Sequence, residues 1–315
     1  MSIGRPTATV TIEGQDLSLA ESATAALFVV ATTTTAHDRA TLTLGPGSPA
    51  LDIAPDARVE VSLGIDDVDL VFTGTVARVA HEPWGTEVQA LASSAALDDV
   101  RIGRAYLSRT VGDIATDLLG AAGVGVGAVD SGPTLPVFYV DESRSAWRHL
   151  CKLAALVLAE VTSSPNGDVN LRPPRTGAPD HTVRAGAELL SWAVGRRHGL
   201  VAARTVGPFS AASEQGNEAW SLLHHDPGGS GPHHVHPLLR DRDIAQAVDG
   251  ATDASRSRSG NEGWATVTGD QSIRPGHLIE LASVDRAAAT YRVVTARHEI
   301  DLGGYRTTLR LEGAA

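Results

Sequence analysis

The sequence predicts a mainly β protein in which two regions of short antiparallel strands flank a small α+β middle region that carries the helices. Three observations lead there. Residues alternate apolar and polar with a period of two near both ends of the chain, the signature of half-buried strands. The middle switches to helical spacing behind capping residues. The two β regions also resemble each other in sequence.

In the first β region, Thr9–Glu13 sets Val10 and Ile12 against Thr9, Thr11 and Glu13. Leu42 and Leu44 alternate likewise, and Arg58–Leu63 sets Val59, Val61 and Leu63 opposite Arg58, Glu60 and Ser62. Leu70–Ala80 and Thr86–Leu91 read as further strands, with turns at Gly45-Pro46-Gly47 and Pro83-Trp84-Gly85. Short strands at this spacing imply a barrel or a sandwich.

In the middle, Thr110 is placed to cap a helix with Asp113 in its first turn, Val111, Ile114, Leu118 and Leu119 on one face, and Gly123 to close it. The glycines of Gly120–Gly127 read as flexible chain. A second helix from Ser145 puts Trp147, Leu150, Cys151 and Ala154 on one stripe. Val157–Thr162 and Asp168–Arg172 form a hairpin whose Asn166-Gly167 suits a type I′ turn. Pro173 to Asp180 reads as a linker. The second β region follows, from Leu189–Val194 and Ala202–Val206 to Trp264–Thr268, His277–Leu281, Tyr291–Glu299 and Tyr305–Leu311. A loop over Pro227–Pro237 and a modest helix over Asp241–Asp253 interrupt it. Expected domains are therefore residues 1–107, 108–182 and 183–315.

The duplication is legible in Thr75–Glu82 (TVARVAHE) and Arg292–Glu299 (RVVTARHE). Each follows a proline-led strand, from Pro55 or Pro275. Each precedes a glycine turn and another alternating strand. Chance alignment of two Arg/Val-rich meanders is the alternative. A duplicated unit lets three copies present six similar modules in a ring, matching a sixfold partner on one side and a threefold partner on the other.

Composition narrows function. A chain of 315 residues with 42% hydrophobic and 20% charged residues is globular. A net charge of -11 argues against nucleic-acid binding. The one cysteine, Cys151, excludes an intrachain disulfide and a cysteine-built metal site, and reads as a core thiol. No apolar signal core or membrane-length run is visible, so cytoplasmic folding and no membrane anchor are expected.

Five histidines, His224, His225, His233, His234 and His236, crowd one Gly- and Pro-rich stretch. Such a cluster could bind zinc or nickel, but it lacks a partner cysteine, and a mobile polar loop explains it better. His81-Glu82 and His298-Glu299 lack the second histidine four residues on that a zincin helix needs, since Gly85 and Leu302 stand there. Asp130-Ser131-Gly132-Pro133 reads as a turn, and Gly123–Gly127 follows a helix, unlike a dinucleotide loop. Arg256 and Arg258, among serines, read as a solvated run. No catalytic residue, metal ligand or cofactor is expected.

The chain resembles the baseplate hub family of contractile tails, phage late control protein D and the hub part of VgrG-type spike proteins. The resemblance is carried by Thr110–Leu119, by Phe138–Ser143 with Trp147, Leu150, Leu153 and Ala154, and by the hairpin ending at Leu171-Arg172-Pro173. At the end of the chain it rests on Pro275-Gly276, Tyr291–Val294, His298 and Gly304–Thr307. Ala155-Leu156-Val157 stands where the family usually has a glycine, and the histidine-rich stretch has no family counterpart. The resemblance implies two tail-tube-like β-barrels flanking the middle domain, a homotrimer, and a place between the hexameric inner tube protein and a separate spike protein, beside other baseplate components. It implies a structural role in a phage-tail-like particle assembled in the cytoplasm. The competing reading is a tail-associated hydrolase or metal-binding protein using the histidine-rich loop.

Overall fold

The structure is a computed structural model, and it describes residues 5–18, 24–33, 35–45, 53–83, 85–196, 204–206, 233–235, 242–284 and 289–314. The first half contributes strands β1 (Pro6–Ile12), β2 (Gln15–Ser18), β3 (Thr24–Thr32), β4 (Arg39–Leu44), β5 (Arg58–Ile65), β6 (Asp67–Glu82) and β7 (Gly85–Ala92). Val10, Val59, Val61, Leu63, Val76 and Val88 point inward and are at most 3% exposed, as the period-two pattern requires. A 3-10 helix, Ser93–Asp98, leads out of this half.

The middle holds β8 (Arg104–Thr110), α1 (Val111–Ala121), β9 (Val126–Val129), β10 (Thr134–Val140), α2 (Ala146–Val157), β11 (Glu160–Ser163) and β12 (Val169–Arg172). Thr110 caps α1, its hydroxyl accepting from the Asp113 amide at 3.0 Å. Ser145 caps α2, accepting from Arg148 N at 3.3 Å. Ile114, Leu118, Phe138, Leu150 and Leu153 form a core with no exposed side chain among them. Two local readings change. Val126–Val129 is ordered as strand, parallel to β12, because Val169 N donates to Gly125 O at 2.9 Å. The hairpin closes through three residues, Pro165 to Gly167, bracketed by Ser164 N donating to Asp168 O at 2.7 Å. Gly167 alone takes the left-handed conformation, with φ +92, so the turn is not type I′.

The second half comprises β13 (His181–Arg184), β14 (Leu189–Arg196), β15 (Arg204–Val206), β16 (His233–Val235), α3 (Arg242–Ser259), β17 (Asn261–Thr268), β18 (Leu278–Ala282), β19 (Ala289–Asp301) and β20 (Gly304–Gly313). Its core centres on Val267, Ile279, Leu281, Val293, Leu309 and Leu311. The stretch Pro173 to Asp180 holds no helix or strand, as its reading as linker requires, and leads into β13, parallel to β18. Two further readings change. Part of the histidine-rich stretch, His233–Val235, is a short strand parallel to β15 and not loop. Helix α3 runs to Ser259, so Arg256 and Arg258 lie in its last turn and Arg258 is buried, not solvated.

Both halves have the same strand order. The first reads β1-β5-β6-β7-β4-β3, and the second β13-β18-β19-β20-β17-β14. Leaving out β2, which pairs only with β1, and β15 and β16, which form a separate pair, each is by position along the chain first, fourth, fifth, sixth, third, second. The irregularities coincide as well. Strands β6 and β7 shift register between Val76 and Arg78, and β19 and β20 between Val293 and Thr295, the same place in the two eight-residue segments. Strands β3 and β14 each carry one extra residue against their partners, Ala25 and Leu190. Asp56 and Gly276, each after the proline, both have positive φ and donate their amides to Val76 O (3.0 Å) and Val293 O (2.8 Å). One pairing differs: β1 runs antiparallel to β5, whereas β13 runs parallel to β18. Among the described residues neither half closes on itself. Instead β19 pairs with β3, and the two halves share one sheet of thirteen strands.

Candidate assembly surface

The joint between the halves is a six-residue antiparallel ladder, Thr295↔Thr32 through His298↔Val29 to Ile300↔Leu27. A β-bulge bends a strand. Past its bulge, β19 leaves β18 and is free to take β3 as its partner. Ala296, His298 and Ile300 turn into the core. His298 is 3% exposed, and its Nδ1 lies 3.0 Å from the Tyr305 hydroxyl and 3.2 Å from Thr307 Oγ1. Burial, with Arg274 nearby, lowers its pKa to about 4, so the ring is neutral at ordinary pH. Burial also pushes the Tyr305 hydroxyl up. Beside the joint, Thr32 N donates to Asp38 Oδ1 at 2.8 Å. Burial outweighs that bond and raises the Asp38 carboxyl to about 7.

A cavity of about 240 Å³ lies where the two halves meet the middle region, and Asp38, Glu160, Arg274, His277 and His298 are among its lining residues. Its polar groups are engaged in holding the fold. Arg274 donates to Leu70 O at 3.2 Å, bridging the halves. His277 Nδ1 is 2.9 Å from His181 Nε2, and burial followed by that neighbour lowers His277 to about 4. Asp180 accepts from Leu278 N at 2.9 Å and pairs with Arg175 at 3.0 Å. Arg292 on β19 is the tie to the middle region: it ion-pairs with Glu160 of β11 and, at 2.7 Å, with Glu312 of β20. These contacts hold the two halves and the middle region together.

The sequence-predicted candidates separate cleanly. His298 and Glu299 sit on strand β19 and face opposite ways. His298 points into the core, while Glu299 meets Arg306 at 2.7 Å, which holds its carboxyl below the usual range. His81 and Glu82 are likewise on a strand and exposed. His224, His225 and His236 lie outside the described residues; His233 and His234 are on β16. Among the described residues, no group of three or more His, Cys, Asp or Glu is placed to hold a metal. No helix among them is long and apolar enough to cross a membrane. The roles of Asp38, Arg274 and Arg292 are not legible in the sequence, since they depend on contacts between distant elements.

Among the described residues several strands pair on one side only, and two of the open edges lie on the strands that correspond, in the other half, to β19 and β3. On β6, the stretch Arg78–Glu82 pairs only with β7. On β14, the edge away from β17 is open, and the strand carries Leu190 and Trp192, 58% and 38% exposed. Unguarded edges of this kind invite another strand.

Solved structures share this architecture along nearly its whole length. A tail protein from Neisseria meningitidis superposes with a TM-score of 0.76 at 14% identity, over 98% of this chain and 96% of its own. The 43 kDa tail protein of prophage MuSo2 from Shewanella oneidensis gives 0.70 at 13% identity, over 98% of each chain. The chain has the fold of phage tail proteins. An E. coli component of the type VI secretion system, described as similar to the T4 tail proteins gp27 and gp5, has the tail-protein fold too, with a TM-score of 0.61 at 10% identity over 96% of this chain and 76% of its own. No family model and no curated protein matches the sequence.

Proposed function

We propose that this tail-protein fold serves as the hub of a contractile tail or injection machine. Three copies form a ring of six related β units, which joins a hexameric inner tube to a trimeric spike made by a separate chain. Residues 1–107 and 183–315 are the two β units, and residues 108–182 form the middle domain between them. The role is mechanical: the hub transmits thrust and adapts symmetry, with no catalytic residues, within a particle assembled in the cytoplasm alongside other baseplate components.

The observation that carries this reading is the repeat of strand order and of both bulges in the two halves. Two units alike in backbone can occupy equivalent places around an axis, so three chains can mimic six subunits. Light scattering of the purified chain should give the mass of a trimer, and the trimer should capture the tube and spike proteins encoded beside it. A chain that stays monomeric at high concentration with both partners present would refute the hub.

A further inference from the structure

We propose that the open edge of β6 in one copy pairs antiparallel with the open edge of β14 in the next, with Ala80 opposite Gly195 and Glu82 opposite Ala193. This rests on the ring reading above, and adds which strands meet and in what register.

The internal joint is the template. The shared bulges fix residue correspondences between the halves. Ala77 of β6 corresponds to Val294 of β19, so Ala80, His81 and Glu82 correspond to Arg297, His298 and Glu299. Leu190 of β14 corresponds to Ala25 of β3, so Ala193, Val194 and Gly195 correspond to Phe28, Val29 and Val30. Inside the chain, Arg297 pairs with Val30, His298 with Val29 and Glu299 with Phe28. Carried onto the open edges, these pairs become Ala80 with Gly195, His81 with Val194 and Glu82 with Ala193.

At the centre of each edge the side chains match those of the closed joint, His81 for His298 and Val194 for Val29, but they are not yet buried. His81 Nδ1 lies 3.1 Å from Thr86 Oγ1, as His298 Nδ1 lies 3.2 Å from Thr307 Oγ1. Yet His81 is exposed where His298 is buried. Val194 is half-buried where Val29 is 1% exposed. A second copy of this chain is therefore the occupant whose shape both edges already fit. Because each chain offers one edge of each kind, the contact is head-to-tail and can close a ring.

The register yields a cross-linking test. Thr33 N donates to Val294 O at 2.9 Å, which makes that pair hydrogen-bonded; alternate pairs along the ladder, including Glu299 with Phe28, are then the close, non-hydrogen-bonded kind. At such positions the Cα atoms stand about 4.5 Å apart, within disulfide reach. In a Cys151→Ala background, Glu82→Cys combined with Ala193→Cys should oxidise to a covalent ladder ending in a closed trimer. Ala80→Cys with Gly195→Cys should do the same and covers the case where the first variant does not fold. Ala80→Cys with Ala193→Cys, two residues out of register, should not. A trimer by light scattering in which neither in-register pair cross-links, or in which the shifted pair cross-links as well, overturns the edge pairing and leaves the hub standing. A monomer at every concentration overturns both.

Discussion

Arg292 ties three elements together, and replacing it by methionine isolates what that tie contributes. Its side chain is 7% exposed, Glu160 is 13% exposed, and Glu312 is 22% exposed. Methionine fills the volume but leaves the carboxylates without this counter-ion. Arg258 still lies near Glu312, so Glu160 bears most of the penalty. Removing one partner of a buried ion pair typically costs about 3–5 kcal/mol, because the charge left behind is uncompensated. At about 2.1 cal/mol/K per residue, a chain of 315 residues should lose about 5–8 °C in Tm. Thermal melts followed by circular dichroism read this directly. Adding Glu160→Gln to Arg292→Met should recover most of the loss, since the stranded charge is gone and an amide remains to hydrogen-bond. A single variant within about 0.5 kcal/mol of the parent, the range of ordinary surface changes, would falsify the account of a buried tie. A double variant no better than the single would also sink it.

Two further outcomes follow from burial. Asp38, whose carboxyl is raised from 3.8 to about 7, favours folding while protonated, and that contribution is lost as pH rises through about 7. His298, lowered from 6.5 to about 4, acts oppositely: its contribution is full above about 6.5 and is lost as pH falls toward 4. Asp38→Asn should therefore gain on the parent by about 4 kcal/mol between pH 4 and pH 8, read from paired denaturation curves, and a pH-independent gap would contradict the assignment. In β6, a Cβ at Gly74 would stand 2.1 Å from Leu91 O and 2.7 Å from the Phe72 ring, whereas one at Gly120 in α1 meets nothing within 4 Å. Gly74→Ala should thus destabilise by about 1–3 kcal/mol, and Gly120→Ala should stabilise by about 0.5–1 kcal/mol; equal effects in urea titrations would show the close approach to be unimportant.

The parts legible in the sequence were those written in local pattern. Alternation located β1, β4, β5, β6, β7, β17 and β20, and the caps at Thr110 and Ser145 located α1 and α2. Strand β8 was missed because Tyr106 alone among its seven residues is buried, so it shows no alternation. Strand β13 was hidden in a polar run, where Val183 alone is buried and parallel pairing with β18 supplies the order. Strand β9 looked flexible because Gly127, and Gly125 just before the strand, suit close approach: a Cβ at Gly127 would lie 2.4 Å from Asn170 Oδ1. The paired TVARVAHE and RVVTARHE segments were visible, but the joint made by the second was not, because pairing between β19 and β3 joins residues far apart in the chain.

The two halves are alike in backbone and diverge in side chains where the middle region docks. Arg292, which reaches Glu160, corresponds to Thr75, an exposed residue that touches no middle-region carboxylate in any described hydrogen bond or ion pair. His277, paired with His181 and lining the central cavity, corresponds to Ala57, a small core residue. The backbone bonds at these places are nonetheless the same, Val76 N to Ala57 O and Val293 N to His277 O, both 2.9 Å. The two halves offer equivalent backbone frames. The second carries the charged contacts that tie it to the middle region, while the first has Thr75 and Ala57 at the corresponding places. Equivalence of the frames is what the proposed ring of like units requires. On that ring the asymmetry in side chains would make alternate units chemically distinct, as a threefold arrangement of paired units requires.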